Sequence, residues 1–278
     1  MRITSLLASL AFVSLTLPAC ASKSSENEEP LSQSEALDAV EEASLTSQAN
    51  NLTSAGIEIS TNFTIGGAVE AAATQLRTFI VTQLPCADTT VVGKTLSITY
   101  GARAGNCIYR GHTFSGKSQV KVERNDQGSI VVDHTWADFS NGIVKVNGTA
   151  QVTWNTATPS RRVVHNVTWT RISDGRTGHG TGDRMQTALA GDIATGFTDS
   201  GNLNWTGPRG QWTLSIQGAE MRWKDPVPQA GTYILETPKD KTLTVTYSRV
   251  DADSVKVTTT ANGRSFSFDV NSLGVHAR

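Results

Sequence analysis

The stretch that decides the architecture is Ile143-Val144-Lys145-Val146-Asn147-Gly148-Thr149-Ala150-Gln151-Val152-Thr153-Trp154. Val144, Val146, Ala150, Val152 and Trp154 all occupy even positions, with polar residues between them. Asn147-Gly148 has the composition of a two-residue hairpin turn. Such a turn would pair Val146 with Thr149 and send Ala150, Val152 and Trp154 to the opposite face. Side chains along a strand alternate between two faces, so only an unbroken strand keeps all five together. The sequence therefore predicts one continuous strand from about Ile143 to Trp154, bent at Gly148.

The same alternation spreads outward in both directions. Leu96, Ile98 and Tyr100 alternate with Thr95, Ser97 and Thr99, and Val120 and Val122 with Gln119, Lys121 and Glu123. Leu243, Val245 and Tyr247, then Phe266, Phe268 and Val270, alternate with threonine, serine and aspartate. Period-two patterning means sheet with one buried and one wetted face. Glycine-containing turns at Asp174-Gly175 and Asn262-Gly263 separate the runs. The expected fold is all-β: an antiparallel meander forming a two-layer sandwich or an elongated stacked sheet, with one N-terminal helix packed on it. That helix is expected over residues 67–84, where Val69, Ala72, Leu76, Phe79 and Ile80 recur at helical spacing and Pro85 stops it. Strands are expected from residue 91 onward.

The N-terminus reads as an export signal. Arg2 precedes an uncharged apolar run, Ile3 to Leu17, too short to span a bilayer comfortably. The segment closes Leu17-Pro18-Ala19-Cys20, which resembles the lipobox of bacterial lipoproteins. By that resemblance, residues 1–19 are a lipoprotein signal peptide. Cys20 takes a diacylglycerol, and its freed amino group a further acyl chain such as palmitate. Each buried methylene contributes about 0.8 kcal/mol, so several chains anchor a folded domain firmly. Ala21 stands where an aspartate often marks inner-membrane retention, so the resemblance implies an outer-membrane lipoprotein of the cell envelope.

Charge is segregated. Residues 20–60 hold eight acids and only Lys23, a net of −7; residues 61–278 hold 22 basic and 17 acidic residues, a net of +5. Residues 20–60 are accordingly expected to be a disordered acidic tether, with at most a weak helix over Ser34 to Ala43, and residues 61–278 the β-rich domain. The scattered basic charge, without stacking motifs, excludes a nucleic-acid partner. With Cys20 lipidated, Cys86 and Cys107 remain, an even pair that reads as a disulfide in an oxidising compartment.

Several residues are candidates for ligand binding. His134 lies in Val132-x-His134-x-Trp136 and His165 in Val163-x-His165-x-Val167-x-Trp169. Each shares a face with valine and tryptophan, which fits a metal or proton-shuttle pair or, more plainly, two hydrogen-bonded, half-buried histidines. Glu220 falls on the face of Trp212, Leu214 and Ile216 unless a bulge near Gly218 shifts the register. Gly178, Gly180 and Gly182 surround His179 in a segment, Asp174 to Arg184, that reads as a flexible exposed loop and not as a phosphate loop. Ser118-x-x-Lys121 falls inside an alternating strand, so its serine and lysine point to opposite faces. Trp136, Trp154, Trp169, Trp205 and Trp212 share parity with aliphatics and are core candidates, whereas Trp223 is the exposed-aromatic candidate. No residue set is assigned a catalytic or metal-binding role, and no cofactor motif is present.

The order of elements resembles a group of β-rich secreted lipoproteins of Gram-negative bacteria. The resemblance rests on Phe63-Thr64-Ile65-Gly66-Gly67, Leu84-Pro85-Cys86, Cys107-x-x-x-Gly111-His112-x-Phe114-Ser115-Gly116 and Asn141-Gly142-x-Val144-x-Val146-x-Gly148. It implies address and fold, and no activity. Three functions compete: a non-enzymatic envelope lipoprotein serving as a structural or binding module for a protein or glycan partner; an envelope glycan hydrolase using Glu220, Asp225 or His165; and a lipid carrier with an apolar cavity.

Overall fold

The computed structural model describes residues 32–61, 69–109, 111–125, 128–155, 158, 160–191, 195–223, 225, 227–261 and 263–271. The signal segment, Cys20 and the motif at 63–67 lie outside the described residues. Two helices, α1 (Gln33–Thr61) and α2 (Val69–Gln83), precede the strands. These are β1 (Asp88–Val92), β2 (Thr95–Tyr100), β3 (Ile108–Tyr109), β4 (His112–Thr113), β5 (Ser115–Arg124), β6 (Ile130–Ser140), β7 (Val144–Asn155) and β8 (Ser160–Arg171). They continue with β9 (Thr177–Ala188), β10 (Gly196–Gly207), β11 (Gly210–Arg222), β12 (Ala230–Glu236), β13 (Thr242–Arg249), β14 (Ser254–Ala261) and β15 (Arg264–Asn271). Apart from the small β3–β4 hairpin, thirteen strands form one antiparallel sheet whose spatial order is their chain order.

The all-β antiparallel meander is thus as expected. So is the long central strand: β7 runs unbroken through Asn147-Gly148. Gly148 sits at φ +139°, and a Cβ there would come within 2.3 Å of the Asn166 carbonyl oxygen. The strand bends at this point against a bulge in β6 between Trp136 and Phe139. Helix α2 buries Ala72, Leu76 and Ile80 and lies against β1, β2 and β5. Cys86 and Cys107 are disulfide-bonded with Cα atoms 5.4 Å apart, tying the end of α2 to the loop before β3.

The tether expectation is corrected. Residues 33–61 form α1, and every residue from Leu52 to Ser60 is buried. Over this stretch the helix is buried all round and shows no amphipathic stripe, which is why periodicity misses it. Its small residues let it lie close to the sheet: a Cβ on Gly56 would stand 2.9 Å from the Phe139 ring. The folded domain therefore begins at least as early as Gln33, carries two helices, and starts its strands at Asp88. Along α1, Ser47 hydrogen-bonds Tyr233 on β12, Gly56 faces Phe139 on β6, and Glu58 reaches Arg161 on β8. Contacts spread over so many strands mean that the sheet curls around the helix.

Candidate functional site

Two regions concentrate polar chemistry, one beneath α1 and one on the opposite face of the same strands. Register fixes the inner face. His134 on β6 opposes Ala150 on β7, which opposes His165 on β8, which opposes Gly182 on β9. Gly178, Gly180 and Gly182 all face inward along β9, and neighbouring side chains fill the space they leave. A Cβ at Gly178 would lie 2.7 Å from the Trp169 ring, and one at Gly182 would lie 2.4 Å from His165 Cε1. The loop expected over Asp174 to Arg184 is corrected: a short turn ends before Thr177, and the glycines are strand positions over which Trp169 and His165 lie. All five tryptophans read as core are buried, and Trp205 and Trp212 stack with planes 6° apart.

The inner histidines are not a joined pair. His134 stacks on Trp136, His165 leans toward β9, and Ala150 stands between them. Burial first, with Arg161 beside His134 and Arg184 beside His165 second, pushes both imidazoles down to about 3. Both are neutral at physiological pH, and the same guanidinium charges disfavour a metal cation. Among the described residues no cluster of three or more metal-ligating side chains occurs.

Deeper on this face lies a neutral charge quartet. Arg161 Nη1 donates to Glu58 Oε2 at 3.4 Å and its Nε to Gln186 Oε1 at 2.8 Å. Arg184 Nη1 donates to Asp199 Oδ2 at 2.8 Å. Desolvation raises the Asp199 carboxyl, while Arg184 and Arg161 oppose the rise. The rim carries a second set of pairs, between the first half of α1 and three strand turns. Glu35 accepts from Lys239 at 2.7 Å and Lys241 at 3.0 Å, Asp38 pairs with Arg209 at 2.8 Å, and Glu41 pairs with Arg171 and Arg176, each at 2.8 Å. Glu42, itself buried, lies 2.5 Å from Arg176 and accepts from Trp205 Nε1. The acids that read as tether charge are fastened to the basic charge of the domain.

The outward face carries a polar ladder. In register from β1 to β13 run Thr90, Ser97, Gln119, Thr135, Thr149, Asn166, Thr181, Asn204, Thr213, Glu236 and Thr242. A parallel row across β6 to β10 reads Asp133, Gln151, Val164, Asp183 and Asn202. Over these five strands the face is hollowed into an open concavity of about 740 Å³.

The other candidates are dispersed. His179 points outward and shares a 2.9 Å hydrogen bond with Thr168. Glu220 is displaced from the tryptophan face by the bulge at Gly218, and it accepts from Gln229. Trp223 is corrected from exposed to half-buried, packed 5.2 Å from Phe197. Asp225 is buried and paired with Arg249 and Arg222. Ser118 is buried and Lys121 exposed, on opposite faces of β5. Sequence reasoning missed Glu58, Arg161, Arg184 and Asp199. The one signal available was Ser32-Gln33-Ser34-Glu35, a capping box whose two reciprocal hydrogen bonds open α1. No family model, no curated protein and no solved structure matches the chain.

Proposed function

We propose that this chain is a lipid-anchored lipoprotein of the bacterial envelope, attached through Cys20 to the outer membrane, whose folded part is a non-catalytic display module. The observation that carries the reading is the outward polar ladder: eleven adjoining strands present hydroxyl, amide and carboxylate groups at strand spacing on a rigid sheet. A large, regular, wetted face on a rigid support suits recognition. The lipobox at Leu17-Pro18-Ala19-Cys20 supports the anchor, and the Cys86–Cys107 bond suits an oxidising compartment.

The rival readings find less support. Asp133 and Asp183, the carboxylates of the concavity, stand three strand spacings apart, about 14 Å, beyond the reach of a glycosidase pair. A lipid carrier would use the inner face, which α1 occupies. The test is mass spectrometry of the native chain with fractionation of the envelope. A diacylglycerol-modified N-terminal Cys20 in the outer-membrane fraction, lost in Cys20→Ala, is expected. An unmodified thiol at Cys20, or an intact Met1 in the mature protein, refutes the proposal.

A further inference from the structure

We propose that the concavity over β6 to β10 is a binding site for an uncharged glycan strand, an inference that rests on the display-module reading and names its ligand class. One residue from each strand lines the floor: Thr135, Thr149, Asn166, Thr181 and Asn204. With strands about 4.8 Å apart, the row extends about 19 Å, long enough for several sugar rings.

Three observations select this ligand. The first is that the side chains of the floor are open to a ligand. Some outward pairs elsewhere satisfy one another, Thr258 with Ser267 and Thr260 with Ser265 at 2.8 Å, Thr170 with Thr177 at 3.1 Å and Thr213 with Glu236 at 2.7 Å. The five floor side chains have no protein hydrogen-bond partner among the described residues. Their donors and acceptors are available to a ligand rich in hydroxyl groups.

The second is charge. The flanking carboxylates are already engaged, Asp183 by Arg162 and Asp133 by Gln151, which leaves a neutral floor. Among the described residues no lysine or arginine lines the concavity to hold a phosphate or an acidic polymer. The third is position. The floor lies in the middle of the sheet, where the backbone is fully paired, so no extended peptide can add to it as a strand. Val164 is its one large exposed apolar side chain, too little to anchor a lipid tail or a protein interface. The hollow itself is built in. Kinks at Gly148 and Gly201 bracket it, each glycine at a positive φ where a Cβ would strike the neighbouring strand's backbone.

The test uses the full chain in detergent, titrated calorimetrically with neutral hexasaccharides of the cello, chito, xylo and malto series, with polygalacturonate as the charged control. Saturable binding to at least one neutral series, unchanged by added salt, is expected. Asn166→Ala with Asn204→Ala should weaken it about tenfold or more. Thr246→Ala, on the same face outside the concavity, should bind as the parent does. Near-UV circular dichroism establishes that each variant is folded. Three results overturn the proposal: no neutral series binds the folded parent, binding survives the double substitution, or only the charged control binds and salt abolishes it. An acylated chain that binds no glycan refutes this site alone; a glycan binder without an acyl chain refutes the anchor alone.

Discussion

Glu58→Leu is the sharpest test of α1 as core. Glu58 and Arg161 are each about 1% exposed, and they belong with Arg184 and Asp199 to a buried set of two cations and two anions. Arg161 is lowered to about 10 by burial, so it stays charged at neutral pH. Leucine removes one anion and leaves the interior with a net charge of +1. Breaking a buried pair in this way costs about 3–5 kcal/mol, a large part of the stability of an ordinary domain. Replacing both partners, Glu58→Leu with Arg161→Met, removes charge and countercharge together and should return stability to within about 1–2 kcal/mol of the parent. Urea unfolding followed by tryptophan fluorescence reads both, since Trp154 lies under the Arg161 guanidinium, 5.1 Å from ring centroid to Cζ. The reasoning fails if Glu58→Leu alone unfolds within about 1 kcal/mol of the parent, because a residue in a solvated tether carries no such penalty.

The remaining predictions concern pH, packing, the disulfide and the rim. His134 and His165 titrate near 6.5 in the unfolded chain and near 3 when folded, so the unfolded state binds more protons between those values. Stability should therefore fall as pH drops below 6.5, by up to about 1.4 kcal/mol per unit for each histidine, and His134→Phe should remove one share of that slope in urea midpoints taken from pH 8 to 5. Gly180→Ala puts a methyl 2.5 Å from the Asn204 carbonyl oxygen, so it should lower stability by about 1–3 kcal/mol in the same assay. Reducing the Cys86–Cys107 bond, which closes a separation of 21 residues, should cost about 3 kcal/mol, read as a lower melting temperature in dithiothreitol. Arg176→Ala strips the nearest cation from buried Glu42 and should cost about 1–3 kcal/mol, between the values for exposed and fully buried pairs.

What was legible followed from parity. Side-chain alternation located β2, β5, β7 and β13, and β15 as a strand although its Phe266 and Phe268 are exposed and not on a buried face, and the even positions of Val144 to Trp154 ruled out a turn at Asn147-Gly148 that local composition favoured. The buried tryptophans and the opposed faces of Ser118 and Lys121 follow from the same rule. Three features escaped it. The glycines of β9 read as a loop because the side chains filling their space, Trp169 and His165, come from the adjacent strand and leave no mark in the local sequence. The Glu220 register turned on a bulge at Gly218 that the sequence signals without fixing. Helix α1 escaped because its stretch from Leu52 to Ser60 is buried on all sides and the segment is rich in serine, threonine and asparagine, so it shows neither helical periodicity nor strong propensity. The concavity depends on the register of five strands and on two kinks, which no single segment encodes.

The charge segregation of the sequence changes meaning once α1 is part of the fold. Of the eight acids between residues 20 and 60, Glu35, Asp38, Glu41, Glu42 and Glu58 pair with arginine or lysine of the sheet. Only Glu26, Glu28 and Glu29 remain, against Lys23, a net of −2. The imbalance that resembled a repelling tether is mostly one half of an intramolecular interface. Covalent geometry then bounds where the module stands. Thirteen residue steps separate Cys20 from Gln33, so the start of α1 lies no more than about 45 Å from the anchor proposed at Cys20. That start sits at the rim formed by the β8–β9, β10–β11 and β12–β13 turns, where Arg171, Arg209 and Lys239 pair with its acids. An anchored chain therefore joins its tether to the fold at this rim. The polar ladder reaches the same end of the sheet over β10 to β13, where Asn204 and Thr213 stand three residues from their turn and Glu236 and Thr242 flank theirs.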